Sequence, residues 1–131
     1  MRDLVTYEEA AAHLRLDDRS TDPWLEAFIP AISEAVAMWI KDSDRLYEPL
    51  RDSDGDVVLD SDDEVVFAVD VDDNPIIRRI VRVAVLIEIE RQNRFRGGES
   101  DADVPSFEGH GYVLGKGATA LLAPLRKTTV A

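Results

Sequence analysis

Cysteine is absent from this 131-residue sequence, which removes disulfides, thiolate zinc sites, CxxC redox pairs and cysteine nucleophiles at once. Histidine is almost absent. His13 and His110 are the only two, and no HExxH motif occurs, so no metal site is expected. No apolar run approaches the roughly 20 residues that a membrane-spanning helix needs, and no membrane association is expected. The Met1-Arg2-Asp3 start leads into no apolar stretch, so the chain reads as one without a signal peptide, made in a cytoplasm. Carboxylates are plentiful, yet none stands beside a nucleophile in an acid–base arrangement. The expectation is a protein that is not an enzyme and carries no cofactor.

What is present fits one domain spanning residues 1–131, with enough apolar content, 45%, to build a core. The net charge of −12 has a local origin. Residues 42–73 hold 13 acids against two bases, Arg45 and Arg51, a net of −11, while the other 99 residues are close to neutral. The acidity therefore belongs to an insertion between helices and is not a general surface adaptation.

Thr6 and Glu9 form a capping box, so a first helix is expected from Tyr7 to His13 or Leu14. Asp17 to Thr21 reads as a polar loop. Asp22-Pro23 is an N-cap followed by a proline at the first helical position. Behind it Leu25, Phe28, Ile29, Ile32, Val36, Trp39 and Ile40 trace one stripe of a 3.6-residue helix. Pro30 lies off that stripe, so a kink is expected there and not a break. In the insertion, Val57-Val58-Leu59 and Val65-Val66-Phe67-Ala68-Val69 are β-branched runs separated by turn residues, which predicts a small β-hairpin. No internal repeat is evident.

Asn74-Pro75 repeats the N-cap and proline signal and is expected to open a third helix ending at Arg96, before Gly97-Gly98. Its apolar positions spread over roughly 200°, wider than the arc of about 100° usual for a surface helix. Ile76, Ile80, Val83, Leu86 and Ile87 are therefore candidates for core or a subunit interface. Residues 97–117 read as loop, and Ala118 to Leu125 as a short fourth helix followed by a tail. The fold class expected is mainly α: a small bundle of three main helices plus a short C-terminal helix, with a β-hairpin-like acidic insertion at 42–73.

Several motifs invite a functional reading. Asp52-Ser53-Asp54-Gly55-Asp56 resembles the start of an EF-hand loop, but the sixth and twelfth positions hold Val57 and Asp63 where Gly and Glu are required, so a solvated turn is the better reading. Gly111 to Gly117 lacks the spacing of a phosphate loop and the Ser or Thr after its lysine. The third helix carries six arginines against Glu88 and Glu90, a net +4 that suits a phosphate backbone; pairing with the acidic insertion or a neighbour suits the −12 of the whole chain better. His13 is placed to cap the end of the first helix.

The order Val5-Thr6-Tyr7-Glu8-Glu9-Ala10, then Leu14-Arg15-Leu16-Asp17, then Asp22 opening a long amphipathic helix, resembles the head–tail connector (adaptor) family of long-tailed bacteriophages. Asn93-Arg94 matches the end of that family's last long helix, and Leu121-Leu122-Ala123-Pro124-Leu125-Arg126 is similar to its C-terminal stretch. Arg91 stands where the family commonly has an aromatic residue, and the 42–73 insertion is longer than the family pattern. The resemblance implies a structural virion protein of the neck, made in the bacterial host cytoplasm and assembled into a ring, often dodecameric. Such a ring docks on the portal protein, extends the channel used in DNA packaging and genome ejection, and offers a platform to a stopper or tail-completion protein. Double-stranded viral DNA would pass its lumen without sequence-specific binding, and an acidic lumen would suit that passage. The segment 118–131, with Leu121, Leu122, Leu125, Arg126 and Lys127, is the expected portal-docking element. Two other classes remain open: a small helical regulatory protein that binds nucleic acid through the third helix, and a calcium-responsive module built on the acidic insertion.

Overall fold

The computed structural model describes residues 2–17, 21–96 and 113–127. The expected loops at 18–20 and 97–112, and the tail beyond Lys127, lie outside the described residues. Four helices make up the regular structure: α1 (Tyr7–Leu14), α2 (Pro23–Ile40), α3 (Arg79–Arg96) and α4 (Lys116–Leu122), the last running into a 3-10 turn at Ala123–Leu125. The mainly-α class holds, and no strand forms among the described residues.

α1 begins where its capping box places it, with the Thr6 hydroxyl accepting from the Glu9 amide and Glu9 returning to the Thr6 amide. α2 starts at Pro23 with the Asp22 carboxylate accepting from the Trp24 amide, and it runs through the exposed Pro30 as one helix. Leu25, Ile29, Ile32, Val36 and Ile40 are all buried, each contributing about 1.5–3 kcal/mol relative to an exposed position. They face Val81, Ala84, Val85 and Ile89 of α3, together with Leu4, Val5, Leu46 and Leu122. The buried Ser33 hydroxyl on α2 accepts from the Leu4 amide at 2.9 Å, which fixes the segment ahead of α1 against the bundle. Both α1 and α2 end on non-glycine residues in the left-handed region, Arg15 and Lys41.

Two expectations about the insertion are corrected. The first is the single hairpin. The segment 47–77 makes five isolated antiparallel bridges, Tyr47–Ile77, Pro49–Phe67, Arg51–Val57, Leu59–Val65 and Val69–Pro75. The run at 57–59 pairs with 65 on one side and 51 on the other, so no two runs stay side by side long enough to form a ladder. The main chain instead closes two hydrogen-bonded cycles. Leu50 donates to Val66, Val66 to Val58 and Val58 back to Leu50, all at 2.8–3.0 Å; Glu48, Ile76 and Ala68 repeat the pattern at 2.8–2.9 Å.

The second correction is the absence of a repeat, because one turn recurs three times, at 52–56, 60–64 and 70–74. In each, the leading aspartate (Asp52, Asp60 or Asp70) accepts through Oδ1 from the amides two and four residues on, at 2.8–3.0 Å. The fourth residue, Gly55, Asp63 or Asp73, adopts a positive φ. That is the usual build of a three-residue connection closed by a left-handed residue. The pattern Asp-x-Asp-(Gly or Asp) at spacings of eight and ten is visible in the sequence once the turn is known.

The start of α3 is also corrected, from Pro75 to Arg79. Asn74 completes the third turn, and Ile76 is held in the second cycle. The Arg78 amide then donates to Leu46 at 2.9 Å, so the extended backbone is committed through residue 78 before a helix can nucleate. α4 begins at Lys116, earlier than the expected Ala118.

Candidate functional site

The insertion is the most distinctive surface. Asp52, Asp60 and Asp70 spend one carboxylate oxygen each on turn amides, while Asp54, Asp56, Asp62, Asp63, Glu64, Asp72 and Asp73 are exposed. Among the described residues, no cluster of three or more His, Asp or Glu side chains is placed to hold a metal ion. The EF-hand-like stretch is one of the three turns, its first carboxylate facing its own backbone. Between the acids stand exposed apolar side chains, Leu50, Val57, Leu59, Val65, Val69 and Val71. Two anchor points tie the insertion to the bundle: the buried Leu46 and Ile77 at its two ends, and Tyr47, which packs against the core and meets the Phe67 ring at 5.6 Å. A concavity of about 630 Å³ opens between the 3-10 turn at Ser43–Leu46 and the insertion.

α3 divides its apolar residues between two sides. Val81, Ala84, Val85 and Ile89 are fully buried. Of the candidates for core or interface, Ile80 and Leu86 are half-buried against the core, Ile87 packs toward Gly117 of α4, and Ile76 and Val83 are exposed at 36% and 40%. Three of the arginines in and just before α3 are drawn into the chain's own contacts, while Arg79 and Arg94 are exposed. Arg78 donates to the Arg45 carbonyl at 3.0 Å, Arg82 lies 3.8 Å from Glu9, and Arg91 grips Glu88. His13 meets Glu90 at 3.1 Å, so the expected helix-end histidine bridges α1 to α3.

Glu88, which entered the sequence reading only as a charge set against the arginines of the third helix, is the main polar feature of the interior. It is fully buried, takes two hydrogen bonds from Arg91 at 2.7 and 3.2 Å, and a third from the Gly115 amide at 3.0 Å. Arg91 also donates to the Val113 carbonyl at 3.2 Å. The chain therefore returns to α3 at residues 113–115 through a clasp, and the glycine-rich stretch there holds a carboxylate of its own chain. A Cβ at Gly115 would collide with the Arg91 side chain, so only glycine permits this approach. Nothing in the periodicity flagged Glu88, since a lone Glu between Ile87 and Ile89 reads as a surface residue. Its spacing of three from Arg91 was the available signal.

The C-terminal segment corrects one docking candidate. Leu122 is fully buried in the subunit's own core, and Leu121 and Leu125 are half-buried against it. Arg126 stacks over the Trp39 ring at 4.5 Å and donates to the Trp39 carbonyl at 3.0 Å. The Lys127 amide donates to the Ile40 carbonyl at 2.8 Å, and Arg45 reaches the Leu125 carbonyl. A helix of seven residues is marginal alone, and here the bundle supplies the surface it needs.

Compared with known proteins, the chain matches no family model, no curated protein and no solved structure. Among the described residues, no helix is long and apolar enough to cross a membrane.

Proposed function

We propose that the chain is a structural head–tail connector of a long-tailed bacteriophage, a non-enzymatic ring subunit that docks on the portal and carries the stopper or tail. The observation that carries this reading is the ordered set of sequence features: a capping-box helix, an Asp22-capped long helix and a last long helix with Asn93-Arg94 near its end. The structure adds support through α3, which leaves Val83 exposed and Ile80 and Ile87 only partly buried although its opposite side is fully buried. An apolar edge of this kind suits contact between neighbouring subunits. With Leu122 enclosed, portal docking falls to the outer edge of the C-terminal segment, Leu121, Leu125 and Lys127, and to the residues that follow.

The test is to mix the purified chain with portal rings and separate the products by size. The expected product is a ring-on-ring complex with a fixed number of copies per portal, and the double substitution Leu121→Ser and Lys127→Glu, which spares the buried Ala118 and Leu122, is expected to abolish it. Failure to bind portal rings at any ratio, together with salt-sensitive DNA binding by the free chain, would transfer the assignment to the nucleic-acid-binding reading.

A further inference from the structure

We propose that the concavity between Ser43–Leu46 and the insertion is a docking groove for an extended segment of a different protein in which basic and apolar residues alternate. This inference does not depend on the connector reading. Pro49, Val57, Val65 and Phe67 supply apolar lining between its charged residues. Val57 and Val65 remain 36% and 44% exposed, and Leu59, paired across from Val65, extends the apolar surface beyond the groove at 51%. Exposed β-branched side chains are normal when scattered singly; a contiguous set on a 31-residue segment marks a contact surface.

Charge decides the occupant. Asp42, Asp44 and Glu64 stand on the rim, and the segment from 42 to 73 has a net charge of −11. The rim arginines are turned to the chain's own groups: Arg45 to Asp42 and the Leu125 carbonyl, Arg51 to the Gly55 carbonyl, Arg78 to the Arg45 carbonyl. Those hydrogen bonds leave the guanidinium charges in place, and the lining itself balances, three carboxylates against three arginines. The negative potential comes from the surrounding segment, whose net −11 already counts Arg45 and Arg51, and it attracts cations while repelling nucleic acid and anionic membranes. A second copy is a poor occupant, because it brings −12 of its own. An extended segment fits better than a helix. The main-chain groups of Val57, Leu59, Val65 and Phe67 take no part in the two hydrogen-bonded cycles, so their edges are open to an added strand. Apolar side chains would then meet the apolar lining while alternate basic ones reach the rim.

The test uses two fluorescein-labelled synthetic peptides of equal length and equal lysine count, one alternating lysine with valine and the other lysine with serine. Each is titrated with the full chain by fluorescence anisotropy at physiological salt. The valine peptide is expected to bind about tenfold more tightly, since buried apolar anchors dominate such contacts. The double substitution Val57→Ser and Val65→Ser is expected to bring the two peptides within about twofold of each other, with unchanged circular dichroism. Glu64→Lys, a rim change that leaves the apolar lining intact, is expected to weaken both peptides. Equal binding of the two peptides by the unaltered chain would overturn the proposal, leaving charge attraction alone. A preference for valine that survives the double substitution would place the site elsewhere. Sedimentation showing a dimer that the double substitution dissolves would make the occupant a second copy and overturn the assignment of a foreign partner.

Discussion

The helical bundle and the acidic insertion are both rich in β-branched and aliphatic residues, yet they are held together by different forces. In the bundle, apolar residues recur with helical period and are removed from water: Leu25, Ile29, Ile32, Val36 and Ile40 on one helix meet Val81, Val85 and Ile89 on another. In the insertion, Val57, Leu59, Val65 and Val69 stay substantially exposed. There the backbone is fixed by two three-membered hydrogen-bond cycles and by three aspartates, each satisfying two amides. Burial specifies the first region and polar capping specifies the second. The difference has a functional corollary, because a segment that does not spend its apolar side chains on its own core keeps them for another molecule.

The strongest way to probe this division is through the buried Glu88, where the bundle relies on a polar group. Glu88→Ala removes the buried carboxylate to which the Arg91 guanidinium, only 21% exposed, and the Gly115 amide donate. Removing one member of a buried pair costs about 3 kcal/mol. Urea denaturation is expected to show that loss as a lower midpoint with an unchanged slope, and the insertion is expected to unfold in the same transition, because Leu46 and Ile77 anchor both its ends in the core. Retention of wild-type stability would mean that the clasp holds residues 113–115 without contributing to the bundle.

Asp60→Ala attacks the other region. It deletes the acceptor for the Asp62 and Glu64 amides, a change comparable to losing a helix N-cap, about 1 kcal/mol. Hydrogen exchange is expected to quicken at the amides of Val58 and Val66, in the adjoining cycle, and to stay unchanged at the centre of α2 and α3. Equal acceleration in both regions would erase the distinction drawn between them.

How far the sequence foretold each region follows the same division. The period of α2, the capping box at Thr6 and the Asp22-Pro23 start are local signals, and the structure places α1 and α2 on them. The insertion was opaque because its pairing is non-local and cyclic. Two β-branched runs separated by a turn look like a hairpin, and nothing in their composition shows that Val66 donates to Val58 while Val58 donates to Leu50. The Asn74-Pro75 signal misled for a related reason, since an N-cap and the last residue of an aspartate turn call for the same residue types. Ile80, Val83, Leu86 and Ile87 were legible as apolar but not as the less buried side of α3, which depends on where α4 and α1 pack, and Ile76 was not legible as lying ahead of that helix.

Salt offers a smaller and purely electrostatic separation. Thirteen acids within 32 residues repel one another, and their mutual repulsion is screened as the Debye length falls from about 30 Å at 0.01 M salt to about 8 Å at physiological strength. Exchange at the insertion's amides is expected to slow over that range while the bundle's amides change little. Faster exchange in the insertion at higher salt would show that its exposed acids are matched by cations of the same chain.

The smallest effect comes from comparing the three turns with one another. The same left-handed position is occupied by Gly55 in the first, Asp63 in the second and Asp73 in the third, with φ of 84°, 62° and 63°. A residue with a Cβ is strained in this region, and aspartate is strained less than most because its short polar side chain tolerates it. Asp63→Gly removes that strain and one of the insertion's negative charges, and both changes favour the folded turn. Against them stands the greater freedom of glycine in the unfolded chain, roughly 0.5–1 kcal/mol. The sum is a net stabilisation of about 0.5 kcal/mol, equivalent to roughly twofold slower exchange at the Val66 amide, with no change in the bundle. Faster exchange instead would mean that the Asp63 carboxylate contributes more to the turn than its backbone angle takes away, and that the three turns, alike in hydrogen bonding, are not alike in what fixes their fourth residue.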